Sequence, residues 1–246
     1  NLHMTYCVGL ALERGLVFMS DTRTNAGLDN VSTFCKMHVW DVPGERALTL
    51  MTAGNLATTQ AVISSLGERS KAPEDRRSSV LDTPSMFQTA RLVADTLRDE
   101  IEKQAGQGQS VESFGATMIL GGQIAGSAPR LFLIYPEGNF IEAGPDTPFF
   151  QIGEMKYGRP ILVRAYDPAM SFEEAMRLLL VSFDSTLKAN LTVGAPFDFH
   201  VYERDSLKAG ATGRINLDDP YFQTVSQGWG NALKSALDSL PTFSFD

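Results

Sequence analysis

The sequence is poor in the residues that cross-link or metallate small proteins. Cysteine occurs twice, at Cys7 and Cys35, and histidine three times. Two cysteines exclude a disulfide framework; two free thiols in a reducing compartment is the reading they support, with a single bridge as the alternative. His38 and His200 stand at no metal-ligand spacing from a carboxylate or cysteine cluster, so no metal is expected and both read as packing or strand-surface residues. Positive charge is also short, since 21 Lys and Arg against 29 Asp and Glu leave a net charge of -8. That balance argues against nucleic acid or an anionic membrane as partner, and no basic cluster offsets it. No apolar run approaches a membrane span and no basic-then-apolar leader is found, so the cytoplasm is the expected compartment. "GGQIAG" lacks the Lys-Ser/Thr of a phosphate loop and reads as a flexible connection.

What remains is an ordinary globular composition, with 246 residues of which 43% are hydrophobic and 20% charged. That suffices for one large domain with a substantial core. Thr5 to Leu12 and Leu16 to Ser20 read as strands joined at Glu13-Arg14-Gly15, followed by strands at Lys36 to Trp40 and Ala47 to Thr52. A helix is expected from Asn55 toward Arg69, then a polar surface loop, "SKAPEDRRSS". The second helix has Thr83 as its expected cap and Pro84 at its first position. Met86, Ala90, Val93, Leu97 and Ile101 share one face, and "AGQGQS" ends it. Strands follow near Phe114 to Leu120, Leu131 to Tyr135 and Phe149 to Ile152, with a hairpin turn at Pro136 to Asn139. Ser171 and Glu174 form a capping box for a third helix. A strand at Phe197 to Tyr202 and a helix near Val225 to Leu240 close the chain. Helices in blocks between blocks of strands predict a layered α+β domain with two packed sheets and helices outside.

Near the start, Met4 reads as an initiator, with Asn1, Leu2 and His3 foreign to the protein. Removing Met4 makes Thr5 the mature N-terminus, a hydroxyl and an α-amine on adjacent carbons. Such an amine titrates at roughly 7.7–8.0, whereas a Lys side chain titrates at about 10.4, so the amine is the better general base near neutrality. A nearby Lys cation would stabilise a developing alkoxide, and a carboxylate would hold that Lys in place. Asp21 at the end of the second strand and Lys36 at the start of the third supply these groups. Ala53-Gly54-Asn55 turns from strand to helix, where backbone N–H groups can meet a carbonyl oxygen. Each residue alone reads as a turn, a cap or a solvated charge; the combination carries the argument. Cys7 alternates with Thr5 and reads as wall or core.

"TYCVGLALERGLVFMSDTRT", then Lys36, then "MTAGNLATTQ", resembles the proteasome β-subunit branch of the N-terminal nucleophile hydrolases. Within it the sequence is most similar to the bacterial Anbu, or ancestral β-subunit, type. The resemblance spans Thr5 to Tyr202 and implies a four-layer αββα sandwich. Residues 1–4 stand outside it, residues 5–206 form the hydrolase domain, and 207–246 form a C-terminal helical extension. It implies Thr5 as nucleophile, Asp21 and Lys36 as electrostatic support, and Gly54 as oxyanion donor. Gly153, at the end of "FFQIG", belongs to the same neighbourhood. The family's usual Ser and Asp beside the nucleophile are replaced here by Glu154 and Asn190. Thr52, Phe34 and Leu56 would line a side-chain pocket, although Phe34 and Leu56 read equally as core. The implied activity is a threonine peptidase or amide hydrolase acting on peptides or small amides. It needs no cofactor, builds a large homo-oligomer as ring or helical stack, and is inactive while residues precede Thr5. An unfoldase partner is left unspecified. The alternatives are a catalytically weak assembly protein and a non-proteolytic amidase or acyl transferase.

Overall fold

The strand Gly15–Ser20 is buried at every position, which an apolar run achieves only when both faces of its sheet are covered. The computed structural model describes residues 5–25, 31–71, 78–106 and 111–246. The residues ahead of Thr5, and parts of "SKAPEDRRSS" and "AGQGQS", lie outside the described residues. In chain order the first elements are β1 Tyr6–Leu12, β2 Gly15–Ser20, β3 Arg23–Asn25, β4 Val31–Thr33, β5 Met37–Val42, β6 Arg46–Gly54, α1 Leu56–Lys71 and α2 Met86–Ala105. Then follow β7 Ala116–Ile124, β8 Arg130–Ile134, β9 Phe140–Glu142, β10 Phe149–Gly153, α3 Arg159–Ala165 and α4 Phe172–Ala189. The chain closes with β11 Phe197–Glu203, β12 Ala211–Ile215 and α5 Pro220–Asp238.

Two antiparallel five-stranded sheets, ordered β10-β1-β2-β11-β12 and β5-β6-β7-β8-β9, lie face to face. Period-two alternation divides each strand between two cores. Leu16 and Phe18 point between the sheets with Met51, Ile119 and Phe150, while Val17 and Met19 point outward onto α3 and α4. Leu48 and Leu50 turn the other way, onto α1 and α2. The result is the expected four-layer αββα sandwich. Buried polar pairs cross between the sheets: the Tyr202 hydroxyl donates to Gln123 Oε1 at 2.7 Å, and Thr49 Oγ1 lies 2.7 Å from His200 Nδ1. The Gly210 N–H donates to Nε2, so the ring is neutral with its proton on Nδ1. Burial pushes the His200 pKa down to about 4.

Several boundaries differ from expectation for identifiable reasons. The α2 helix starts at Met86 and is capped by Ser85, whose hydroxyl accepts from Gln88 N. Thr83 is unavailable as a cap because its hydroxyl is engaged with Thr89 and the Arg46 guanidinium. "GGQIAG" is no loose connection: β7 runs through Gly121 and Gly122. A side chain at Gly121 would meet the Phe18 ring at 2.6 Å, so the opposite sheet fills the space a Cβ would need. The short α3 helix was not anticipated, nor were the ribbon β3-β4 and strand β12. The final helix begins at Pro220 rather than Val225, capped by Asp219 accepting from Phe222 N. The capping box at Ser171 forms, with its hydroxyl accepting from Glu174 N.

Candidate active site

Thr5 sits just before β1, at the mouth between the two sheets, and is tied down from its carbonyl side. Its C=O accepts from Glu154 N at 2.7 Å. This contact requires glycine next door: Gly153 has φ +84, and a Cβ there would lie 1.8 Å from the Thr5 oxygen. The following residue is held more firmly still. Tyr6 N donates to Asp21 Oδ1 at 3.1 Å, while its fully buried phenol meets Ser182 Oγ and Gln151 Nε2, each at 2.7 Å. Burial pushes the Tyr6 phenol up to about 12, so it remains a neutral anchor.

Lys36 enters from the residue before β5. Its Nζ donates to Thr5 Oγ1 at 2.8 Å, to Asp21 Oδ1 at 2.8 Å and to the Arg23 carbonyl at 2.6 Å. The ion pair is buried on both sides. Desolvation pushes the Asp21 carboxyl up to about 6, against the pull of Lys36 and the N–H groups of Tyr6 and Gly194. Asp21 is therefore ionised at neutral pH. Coulomb attraction in such a pair, about 4 kcal/mol at an effective dielectric of 20, is offset by several kcal/mol of desolvation per ion. What the pair supplies is placement of an ammonium against a hydroxyl, not net stability.

The "DTR" run owes its pattern to the same cluster. Asp21 holds Lys36, the Thr22 hydroxyl donates to Pro196 O at 2.7 Å, and the Arg23 carbonyl accepts from Lys36. The loop after α4 closes the far side, with Gly194 N donating to Asp21 Oδ2 at 3.4 Å. Asn190 shapes that loop, its Oδ1 accepting from Thr192 N and Oγ1 at 3.0 and 2.7 Å.

Above Thr5 opens a cleft of about 1090 Å³. Thr5, Phe34, Lys36, Thr52, Gly54, Leu56 and Gly153 all line it. Asp21 lies behind Lys36, fully buried. Among the described lining residues Glu154 and Asn190 do not occur; Glu154 reaches the site through its backbone N–H and Asn190 through the loop it shapes. Gly54 is exposed to the cleft with φ +126, and a Cβ there would lie 2.5 Å from Gly115 O. Sequence reading overlooked Thr24, His38, Gln60 and Glu112 on the walls. Spacing could have found two of them, because Gln60 follows Leu56 by one helical turn and His38 follows Lys36 by one strand repeat. Cys7 and Cys35 are both free, and burial pushes both thiols up, so neither offers a thiolate at neutral pH.

Comparison with known proteins bears on this geometry. The family described as "Proteasome subunit" matches residues 3–201, from ahead of Thr5 through most of β11. Anbu (ancestral β-subunit) from Yersinia bercovieri is 45% identical and superimposes with a TM-score of 0.91, covering 98% of this chain and 100% of that one. The chain belongs to the proteasome subunit family, in its Anbu branch. A second Anbu structure, titled "Helical Assembly of the Anbu Complex from Pseudomonas aeruginosa", is also 45% identical, with a TM-score of 0.91 and 98% of each chain covered. The proteasome subunit beta of Haloquadratum walsbyi is more distant, at 27% identity over 83% of this chain and 75% of that protein. The Anbu matches extend through β12 and α5, beyond the segment that the general family description covers.

Proposed function

We propose that this Anbu protein is an amide hydrolase of the threonine-peptidase type, with Thr5 as nucleophile. One observation carries the reading: Lys36 Nζ stands 2.8 Å from Thr5 Oγ1 in a buried ion pair at the floor of an open cleft. The chemistry starts once the peptide bond ahead of Thr5 is cut, because only then is its nitrogen an amine. Thr5 Oγ attacks the substrate carbonyl carbon, and the Thr5 amine takes the hydroxyl proton. Lys36 stabilises the developing alkoxide, and the Gly54 N–H donates to the oxyanion. The tetrahedral intermediate collapses with loss of the substrate amine, which receives the proton, and leaves an ester on Oγ. Water, deprotonated by the same amine, hydrolyses the ester and frees the acid. Peptides or small amides are the substrate class. No cofactor enters any step.

The same reading makes the protein a homo-oligomer, ring or helical stack, by analogy with the relative titled a helical assembly. Two free thiols favour a reducing cytoplasm, and no described helix is long and apolar enough to cross a membrane.

The test is intact mass after treating a chain that begins at Thr5 with a peptide α′,β′-epoxyketone, which captures a hydroxyl and a neighbouring free amine together. One adduct mapped to Thr5 and absent from Thr5→Ala is expected. No adduct across several peptide sequences would sink the hydrolase reading and favour an assembly protein without catalysis.

A further inference from the structure

Two main-chain groups flank the Lys36–Asp21 pair, the Arg23 carbonyl and the Gly194 N–H. Their residues are not among the described residues lining the cleft. Both line a separate pocket of about 180 Å³ instead. That is smaller than the roughly 300–1,000 Å³ of sites for drug-sized ligands, so it admits only a small molecule. Leu187 of α4, Ala195 and Leu217 give it apolar walls, with Ser32 and Thr33 of β4 beside them. Leu217 lies between β12 and α5 and is 54% exposed, which places it at the rim.

Arg23 is the one charged residue in the described lining and gives the pocket its chemistry. Its guanidinium donates to the Leu191 carbonyl, which leaves most of its five N–H groups for another acceptor. Among the described residues no carboxylate lies within ion-pair distance of it. The acidic residues that come nearest in the flanking elements are engaged elsewhere: Asp21 with Lys36, Asp184 with Lys188 and Asp198 with Arg214. The loop 190–196, "NLTVGAP", has no acidic residue, and the Asn190 oxygen accepts from Thr192. Glycine at 194 lets the stem of Arg23 lie against this loop, because a Cβ there would stand 2.9 Å from Arg23 Cδ. A half-buried guanidinium is matched best by a planar anion that its fork holds at two points. The leucine and alanine walls then gain from an apolar tail on that anion, which inorganic phosphate does not have.

We infer that this pocket is a binding site for a small aliphatic carboxylate, held by Arg23 beside the loop that supports Asp21. The inference is independent of the hydrolase chemistry and of the homo-oligomer. Saturation-transfer NMR of the full chain, titrated with isobutyrate at fixed ionic strength, tests it. The wild type is expected to bind with a Kd on the order of 1 mM. Isobutyramide has the same shape without the charge and should bind at least about 10-fold more weakly. R23Q removes the cation and should abolish binding. Because Arg23 also ties down Leu191, a second variant, L217W, fills the pocket from its rim and leaves Arg23 in place. It should abolish binding too, with urea unfolding to check that it is folded. Leu217 is not among the described residues lining the cleft, so binding that survives L217W would put the carboxylate elsewhere and overturn the proposal. No saturation of the wild type up to about 50 mM would also overturn it. Equal binding of isobutyramide would remove Arg23 from the recognition, and equal binding of inorganic phosphate would remove the apolar walls; either overturns the ligand class. N-acetylvaline carries the same group as a peptide end, and tighter binding by it would assign the pocket to a chain terminus rather than a small acid.

Discussion

Replacing Lys36 with Met leaves Asp21 buried without its cation, and the cost should depend on pH in a calculable way. In the wild type the Asp21 carboxyl ionises near pH 6, above the ordinary carboxylate range. Its folded pKa lies above its unfolded one, so its contribution to stability is full at low pH and is lost as pH rises through 6. In K36M the two pulls from Lys36 disappear, and the carboxyl moves toward the 8–9 documented for unpaired buried carboxylates. Between pH 6 and that value the wild type sheds the proton and the variant keeps it. Each pH unit in that interval adds about 1.4 kcal/mol to the variant's deficit. Because the wild-type carboxyl is still half protonated at pH 6, the deficit should grow by about 1 kcal/mol from pH 6 to 7, and by about 2 kcal/mol from pH 6 to 8. Below pH 6 it should level at the pH-independent cost of three lost hydrogen bonds and altered packing. Urea unfolding at one fixed protein concentration, at pH 5, 6, 7 and 8, measures this. The D21N/K36M double variant has no carboxylate to strand and should show a flat difference. A K36M deficit that is itself flat from pH 5 to 8 would refute the reasoning.

Two further outcomes are expected. Gly54→Ala places a Cβ 2.5 Å from Gly115 O at a backbone conformation of φ +126. It should cost about 2–4 kcal/mol in urea unfolding and suppress epoxyketone labelling of Thr5; wild-type values for both would count against the close approach described. His200 has a folded pKa near 4, well below its ordinary value of 6.5. An unfolded chain takes up a proton that the folded ring refuses, so this residue lowers stability as pH falls from 6.5 toward 4. Between pH 7 and pH 5, His200→Gln should lose about 2 kcal/mol less than the wild type. Equal losses would place the acid sensitivity elsewhere.

The cluster that forms the candidate site was legible in the sequence where the proposed chemistry depends on residue type at strand ends. Thr5, Asp21, Lys36 and Gly54 all fall in the first quarter of the chain, and hydrophobic alternation placed each of them at a strand terminus. What supports them was not legible. Ser182 and Gln151 hold the Tyr6 phenol from 176 and 145 residues away in sequence, and neither carries any local mark of that task. The glycines of β7 misled for the opposite reason. Glycine ordinarily marks a turn, and only the Phe18 ring arriving from the other sheet makes it a strand residue here. The β3-β4 ribbon and β12 are short and polar, so they carry too little alternation to be read. The α3 helix had a usable signal in Pro160 near its start, but at 7 residues it is shorter than the periodicity needed to recognise a helix.

In this chain residues still precede Thr5, yet its hydroxyl, the Lys36 ammonium and the Asp21 carboxylate already touch. Thr5 is fixed from its carbonyl side by Glu154 N. For the proposed chemistry the nucleophile and its cation are in place before the amine is free. Under that proposal, freeing the Thr5 nitrogen asks for no movement of Thr5 Oγ, Lys36 Nζ or the Asp21 carboxylate, so the step that exposes the amine alone sets when activity begins.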